Sequence, residues 1–443
     1  MEVTIQETIT IFPSNSPFNE NHVLPLSDLD TDRNLDVTFR YFRVYSNQNN
    51  EPDPFNLITT ALAEALVPYY PFTGCLQRNN AEDGRVELHC NLGSRVPMVR
   101  ATLDSTLESV NYLDDPDESF SEQLVPNPDP NEAMDHPMVL QITMFKCGGY
   151  VLGPVVQNML CDGLGASEFF NWVAELTRDS NKTRSKPDWN RVGLLGPREP
   201  LSVEFPFGEL LTLDKDFSPY LQPVGPVGKV CFDMDDAMLD RFKAYLLEKS
   251  GSRFTTFEAL GAFIWQAKVK SSKIQSNEKV KFAYLMNIRK LMNPPLPKGY
   301  WGNACTQMYV QLTSKELQDL PIWEIAELIK KSKYNATNEY VRSYIDFQKI
   351  NYEKGISGGT EVSGFTDWKH IGHSTVDFGS GGPVTVFPLS KNFLGSMEPC
   401  YFLPFSSVDK EKMRGFKLLV YLREYAMEGF KEEMEKLCGE KYA

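Results

Sequence analysis

The segment YVLGPVVQNMLCDGLGA, Tyr150 to Ala166, runs from a β-forming apolar tract through a short loop towards a helix. Val139–Phe145 and Tyr150–Val156 are both rich in strand formers, and Cys147-Gly148-Gly149 between them supplies the glycines of a hairpin turn. Asn158 then falls at a strand end. Gly163 and Gly165 allow a tight turn, and Ser167 is placed to cap a helix whose apolar positions Phe169, Phe170, Val173, Ala174 and Leu176 define a buried face.

Outward from this strand–loop–helix unit, seven prolines between Pro187 and Pro226 mark a stretch that neither helix interiors nor central strands tolerate. The expected organisation is a domain over 1–186, a proline-rich crossover over 187–226 and a second domain over 227–443. Beyond the crossover, Asp236–Leu247 and Phe257–Lys268 read as helices, the second capped by Thr255 or Thr256. Lys281–Met286 reads as a strand, and Ile322–Lys331 and Phe416–Leu437 read as helices, the last from its Glu and Lys spacing. Mixed elements in both halves imply layered α/β domains.

A chain of 443 residues with 42% hydrophobic content can fill two cores. Its net charge of −14 argues against nucleic acid or an anionic membrane surface as the main partner. The eight cysteines are scattered, with no C-x-x-C pair or metal-ligand spacing, so reduced thiols and no metal are expected. Acids at Glu2 and Glu7 are unlike a signal peptide, and no apolar run approaches the roughly 18 residues of a membrane span. A cytoplasmic monomer acting on small molecules is the expectation.

Three ordered segments carry a resemblance. Leu160-Cys161-Asp162-Gly163 matches the second half of an H-x-x-x-D-G motif. Asn293-Pro294-Pro295-Leu296-Pro297-Lys298-Gly299-Tyr300-Trp301-Gly302-Asn303-Ala304 is close to N-P-P-L-P-x-G-Y-F-G-N-A, and Asp377-Phe378-Gly379-Ser380-Gly381-Gly382-Pro383 matches D-F-G-W-G-x-P with Ser380 in place of tryptophan. Ala63–Gly74 and Leu403–Asp409 extend the likeness over nearly the whole chain. In these segments the sequence resembles the BAHD acyltransferases, plant enzymes that move an acyl group from a coenzyme A thioester to an alcohol or amine. The resemblance implies two similar-sized chloramphenicol-acetyltransferase-like α/β domains with a channel between them. It also implies acyl-CoA as co-substrate and no permanently bound cofactor.

Where that family keeps its catalytic histidine, this chain has Asn158, preceded by Gln157 where many members have a second histidine. By the same resemblance Asp162 is a structural support facing away from the channel, paired with Arg289. Alcohol attack needs a base with a pKa near 7, which imidazole supplies and an amide does not. The five histidines are His22, His89, His136, His370 and His373. Only His373, four residues before the third motif, is placed to approach the channel, either as a substitute base or as a packed loop residue. Cys161 reads as an inert thiol rather than a nucleophile, because activation needs a positive neighbour and it sits beside Asp162. Asp377 is expected to brace the bend that Gly379, Gly381 and Gly382 permit. Ser380, in place of a large ring, is expected to loosen or enlarge the channel floor.

Lys268, Lys270, Lys273, Lys279 and Lys281 form the densest basic run. Lys268 and Lys270 are candidates for coenzyme A phosphates, against the alternative of a solvated helix end. Three functions remain open at this point: acyl transfer with an altered site, a lyase, cyclase or isomerase reaction on the same scaffold, and non-catalytic binding of an acyl-CoA or partner.

Overall fold

A computed structural model describes residues 1–46, 53–79, 84–179, 185–216, 218, 225–408 and 414–438. Parts of the sequence assignments lie outside these residues: 47–52, 80–83 and 180–184 of the first expected domain, 217 and 219–224 of the crossover, 409–413 and 439–443 of the second domain, with Asp409 of the last family-like stretch among them, and the side chain of Cys438.

The hairpin forms as read. Met138–Phe145 pairs antiparallel with Tyr150–Gln157, and Gly148 turns the chain at φ +83°. These strands sit inside a six-stranded sheet in the order Thr4–Ile11, Val96–Leu103, Met138–Phe145, Tyr150–Gln157, Thr38–Tyr45, Thr385–Pro388. Every residue of Tyr150–Gln157 is buried, as suits a central strand covered on both faces. A second six-stranded sheet runs Val227–Asp235, Gly415–Arg423, Cys400–Leu403, Val362–Asp367, Lys279–Asn287, Cys305–Thr313. Each sheet mixes parallel with antiparallel pairs, and each has its own apolar core.

The chain does not divide cleanly between the two sheets. Thr385–Pro388 lies in the 227–443 segment by sequence, yet it closes the edge of the first sheet by pairing with Thr38–Tyr45. Trp301 also crosses over: it packs against Tyr69 and Phe72 in the first core, and its indole N–H donates to the Gly165 carbonyl at 2.9 Å. The crossover itself carries two short helices, Arg191–Leu195 and Phe207–Leu210.

Two readings of the sequence are corrected. The helix after Asn158 spans Gly163–Arg178, and its cap is Asp162, whose carboxylate accepts from the Gly165 N–H at 2.8 Å. Ser167 is buried inside that helix. Phe416–Leu437 is not one helix: Gly415–Arg423 is a buried central strand, and the helical part is Met427–Glu435. The apolar run from Leu418 to Leu422 is buried on both sides by strands 227–235 and 400–403 and the layers over them, while the Glu and Lys spacing belongs only to the later segment. Helices Asp236–Ser250, Thr256–Ser271 and Ile322–Tyr334 and strand Lys279–Asn287 form where expected, with Thr255 as cap and Glu258 completing its capping box.

Candidate active site

Asn158 follows the last residue of a central strand, and its own backbone N–H and carbonyl are both hydrogen-bonded. Its N–H donates to the Val37 carbonyl at 2.9 Å, and its own carbonyl accepts from Asn303 Nδ2 at 2.8 Å. Asn303 comes from the proline-rich motif of the second half and also donates to Asp30 at 3.1 Å through the same nitrogen. Asp30 in turn faces Arg191 at 3.3 Å, with both side chains fully buried, and Arg191 donates to the Leu160 carbonyl at 2.7 Å. The loop after the strand is therefore held by side chains from three distant segments.

Asp162 is held more tightly still. Arg289 donates to both of its oxygens, at 2.7 and 3.0 Å, and the Ala304 N–H and the Cys305 thiol approach at 3.2 and 3.3 Å. Burial pushes the Asp162 pKa up, but the Arg289 charge and the hydrogen bonds outweigh this and leave it below the usual carboxylate range. A carboxylate so occupied has no lone pair left for a substrate.

Between the two sheets lies a cavity of about 310 Å³. The first sheet contributes Phe39, Tyr41 and Val156, with Asn158 just past its strand end; the second contributes Tyr284, Leu285, Met286, Phe365 and Asp367. The Asn158 side-chain amide lines it without a hydrogen-bond partner among the described residues, leaving one acceptor and two donor hydrogens for a ligand. Gln157 is turned inward, 1% exposed, with Nε2 3.5 Å from Asp36.

His373 lines this cavity too. It is 2% exposed, with its ring against Trp368 at 4.6 Å and Tyr41 at 4.9 Å. Arg43, itself fully buried between the rings of Tyr41 and Phe170, donates from Nε to the His373 carbonyl at 3.1 Å and from Nη2 to His373 Nδ1 at 3.0 Å. Guanidinium only donates, so Nδ1 must be the accepting nitrogen and the ring proton sits on Nε2. Burial, and then the Arg43 charge, press the imidazole pKa well below its usual value. The substitute-base reading of His373 fails on this geometry.

The other cavity groups are no better placed as bases. Burial raises the Cys161 and Cys305 thiols well above their ordinary pKa, reinforced by Asp162, so both stay protonated. Asp367 pairs with Lys369 at 3.5 Å and Lys333 with Glu258 at 2.8 Å. Tyr284 is pushed up to about 12 by burial.

Asp377 accepts from the Gly379 and Gly381 N–H groups at 2.8 and 2.9 Å and meets Arg178 at 3.3 Å. The two glycines sit at φ +120° and +100°, which L side chains rarely adopt. Ser380 between them is not among the residues lining the cavity. Lys268 differs from expectation: it is 2% exposed and donates to the Glu398 carbonyl. Helix Thr256–Ser271 is buried almost all round, which turns that ammonium inward rather than towards a phosphate. Lys270 is exposed and donates to Gln266 at 2.7 Å. Lys281 is also internal, bonded to the Gly358 carbonyl at 2.5 Å and pushed down to about 8 by burial and by Lys279. Neither Asn303 nor Arg43 is singled out by the sequence analysis: Asn303 lies within the Asn293–Ala304 motif, whereas Arg43 carries no local signal.

A family model described as "Transferase family" matches residues 1–437. The chain is 30% identical to the spermidine sinapoyl-CoA acyltransferase of Arabidopsis thaliana, over 98% of this chain and 97% of that one. It is 32% identical to the spermidine coumaroyl-CoA acyltransferase of the same plant, over 93% and 91%. The 3'-N-debenzoyl-2'-deoxytaxol N-benzoyltransferase of Taxus canadensis is 30% identical over 89% and 87%. In fold, the chain matches vinorine synthase with a TM-score of 0.76 at 20% identity, covering 98% of each chain. It matches F. graminearum TRI101 complexed with coenzyme A and deoxynivalenol with a TM-score of 0.76 at 16% identity, over 94% and 98%.

Proposed function

Because this chain belongs to the BAHD acyltransferases of the transferase family, we propose that it transfers an acyl group from a coenzyme A thioester to an amine, with Asn158 orienting the acceptor rather than deprotonating it. The observation that carries this reading is the cavity's lack, among the described residues, of a side chain able to take a proton at neutral pH. Asn158 is an amide, His373 is occupied at Nδ1, the two thiols are protonated and Asp162 is fully bonded. An alcohol has negligible alkoxide at pH 7, whereas a neutral amine already has a nucleophilic lone pair.

In the proposed step the amine nitrogen attacks the thioester carbonyl carbon and the C=O π pair moves onto oxygen. Collapse re-forms the carbonyl and expels the coenzyme A thiolate. The proton left on nitrogen passes to that thiolate through solvent, giving an amide and free coenzyme A. Asn158 has an acceptor for an amine N–H and a donor for an oxygen, so it can hold the reactants in line without basicity. The apolar walls, Phe39, Leu285 and Phe365 among them, disfavour the ammonium form and so raise the neutral fraction of a bound amine. Two relatives are spermidine acyltransferases by name and a third is an N-benzoyltransferase; spermidine is a polyamine, which supports the same acceptor class. Asp162 and Arg289 serve as the loop's support, and Asp377 braces the Gly379–Gly381 bend.

We assign the protein to the cytoplasm, a reading supported by seven free cysteines among the described residues, and propose that it acts as a monomer. Fractionation of tagged protein and light scattering of purified protein check these two points. The deciding assay is release of coenzyme A thiol from acetyl-, benzoyl- and hydroxycinnamoyl-CoA against panels of amines and alcohols. Turnover with amines and little with matched alcohols is the expected result, and failure with every thioester and amine pair ends the proposal.

A further inference from the structure

We infer that His373 is a catalytic hydrogen-bond donor: its Nε2–H holds the carbonyl oxygen of the bound acyl group and stabilises the negative charge that oxygen gains during attack. The inference rests on the acyl-transfer reading for its ligand, but its structural core stands apart from it.

Arg43 is a fully buried cation, and no carboxylate among the described residues lies within ion-pair distance of it. Its charge is shared instead with the His373 backbone carbonyl and Nδ1. That arrangement is unusual, since buried charges are ordinarily paired. Its consequence is directional: the guanidinium fixes the ring as the Nε2–H tautomer and polarises it, so a neutral imidazole presents an electron-poor N–H. Trp368 and Tyr41 pack on the ring and hold its plane.

The free nitrogen lies close to Gly163, on the wall of the cavity that Asn158 also lines. A methyl group built on Gly163, the first residue of the helix after the Asn158 loop, would lie 3.9 Å from His373 Nε2 and 3.3 Å from Ile371 Cδ1. Gly163, Ile371, His373 and Asn158 all line the same cavity. Nε2 has no hydrogen-bond partner among the described residues, although the side chain is almost completely buried. A buried donor backed by a cation is complementary to an oxygen that becomes anionic, and such preorganised donors act most strongly where water is excluded. An ammonium ligand would be repelled by the same Arg43 charge, which separates this wall from the amine. Arg43 is then a positioning residue for His373.

The test uses the full-length protein, labelled with 15N-histidine, alongside His373→Gln, which keeps a donor near the Nε2 position, and His373→Phe, which keeps a ring and removes the donor. The His373 signals are assigned by their loss in His373→Gln. A neutral Nε2–H ring at every pH from about 6 to 8 supports the inference; a charged ring or an Nδ1–H tautomer there overturns it, whatever the activity. Arg43→Met is expected to release the ring, raising its pKa and mixing its tautomers. On the most active thioester and amine pair, loss of one such donor lowers kcat about 10²-fold. His373→Phe should show that loss with KM little changed, and His373→Gln should recover most of it. Full activity in His373→Phe sinks the catalytic role. Absence of turnover by the unmodified protein counts against the acyl-transfer reading instead; then benzoyl-CoA added to the labelled protein decides, because binding that leaves the Nε2–H signal unmoved overturns the inference.

Discussion

Asp162 accepts two hydrogen bonds from Arg289, at 2.7 and 3.0 Å, across 127 positions of sequence, and so ties the Asn158 loop on the first sheet to the end of strand Lys279–Asn287 on the second. Asp162 is 4% exposed and Arg289 16%, so each leaves a buried charge behind if its partner is removed. Arg289→Met is expected to cost about 3–5 kcal/mol. The double variant Arg289→Met with Asp162→Asn should cost clearly less than the sum of the single changes. Urea unfolding of the four proteins measures the coupling, and strict additivity would contradict it. The depressed pKa of Asp162 gives the pH sense: this stabilisation is complete above the unfolded carboxylate value near 4 and is lost as pH falls through the folded one.

Restoring a base at the strand end reverses the proposed preference. Asn158→His is expected to raise acyl transfer to alcohols by about 10²- to 10⁴-fold, the usual worth of a general base, with a smaller effect on amines. Thiol release with one thioester against an alcohol and its matched amine is the measurement. An Asn158→His enzyme that still ignores alcohols would show that more than the base separates this site from an alcohol acylase.

Below the acceptor's pKa, kcat/KM for an amine should climb about tenfold per pH unit, because only the neutral form attacks and a free alkylamine titrates near about 10. No inflection attributable to His373 is expected near about 6.5, since burial and Arg43 hold its pKa well below that. A pH–rate profile from about 5.5 to 9 suffices. An acid limb near 6.5 that vanishes in His373→Gln would identify a histidine base and refute the assignment.

The same depressed pKa predicts a stability effect. Between the folded pKa of His373 and the unfolded value near about 6.5, the unfolded chain binds the extra proton, so this term destabilises the fold as pH falls below about 6.5 and vanishes above it. Relative to His373→Gln, the unmodified protein should lose up to about 1.4 kcal/mol per pH unit in that window. Denaturant midpoints of the two proteins at pH values near 5 and 7 give the comparison.

Asn303→Leu removes the donor to the Asn158 carbonyl and to Asp30. Asp30 keeps the Asn303 backbone N–H at 2.8 Å, but the Asn158 carbonyl is stranded, which is expected to cost about 1–3 kcal/mol, together with a fall in kcat as the Asn158 amide loses its fixed position. If stability drops but kcat stays unchanged, the loop does not need this anchor for chemistry.

Much of the fold was written locally. The hairpin around Gly148, the Thr255 cap with Glu258, and the prolines of 187–226 each depend on propensities within a few residues, and the three ordered motifs carried the architecture. Errors arose where tertiary burial overrode local pattern. The Leu418–Leu422 run and the Glu and Lys spacing after it looked like one helix because a strand buried on both faces has no alternation to reveal it. Ser167 was a plausible cap by composition, but Asp162 already occupied that place with its Gly165 bond.

At the site, residue identity shows an amide, Asn158, where the resembled family keeps a base, and the resemblance implied an arginine partner for Asp162. Residue identity alone fixes what Asn158 can and cannot do with a proton. Which other groups reach the cavity, and in which protonation state, depends on contacts between distant parts of the fold. His373 became a donor because Arg43, 330 positions away, points a guanidinium at Nδ1, and Lys268 became an internal brace because its helix is buried on nearly every side. Protonation and accessibility depend on neighbours brought from afar in the chain, and burial gives those neighbours their electrostatic strength.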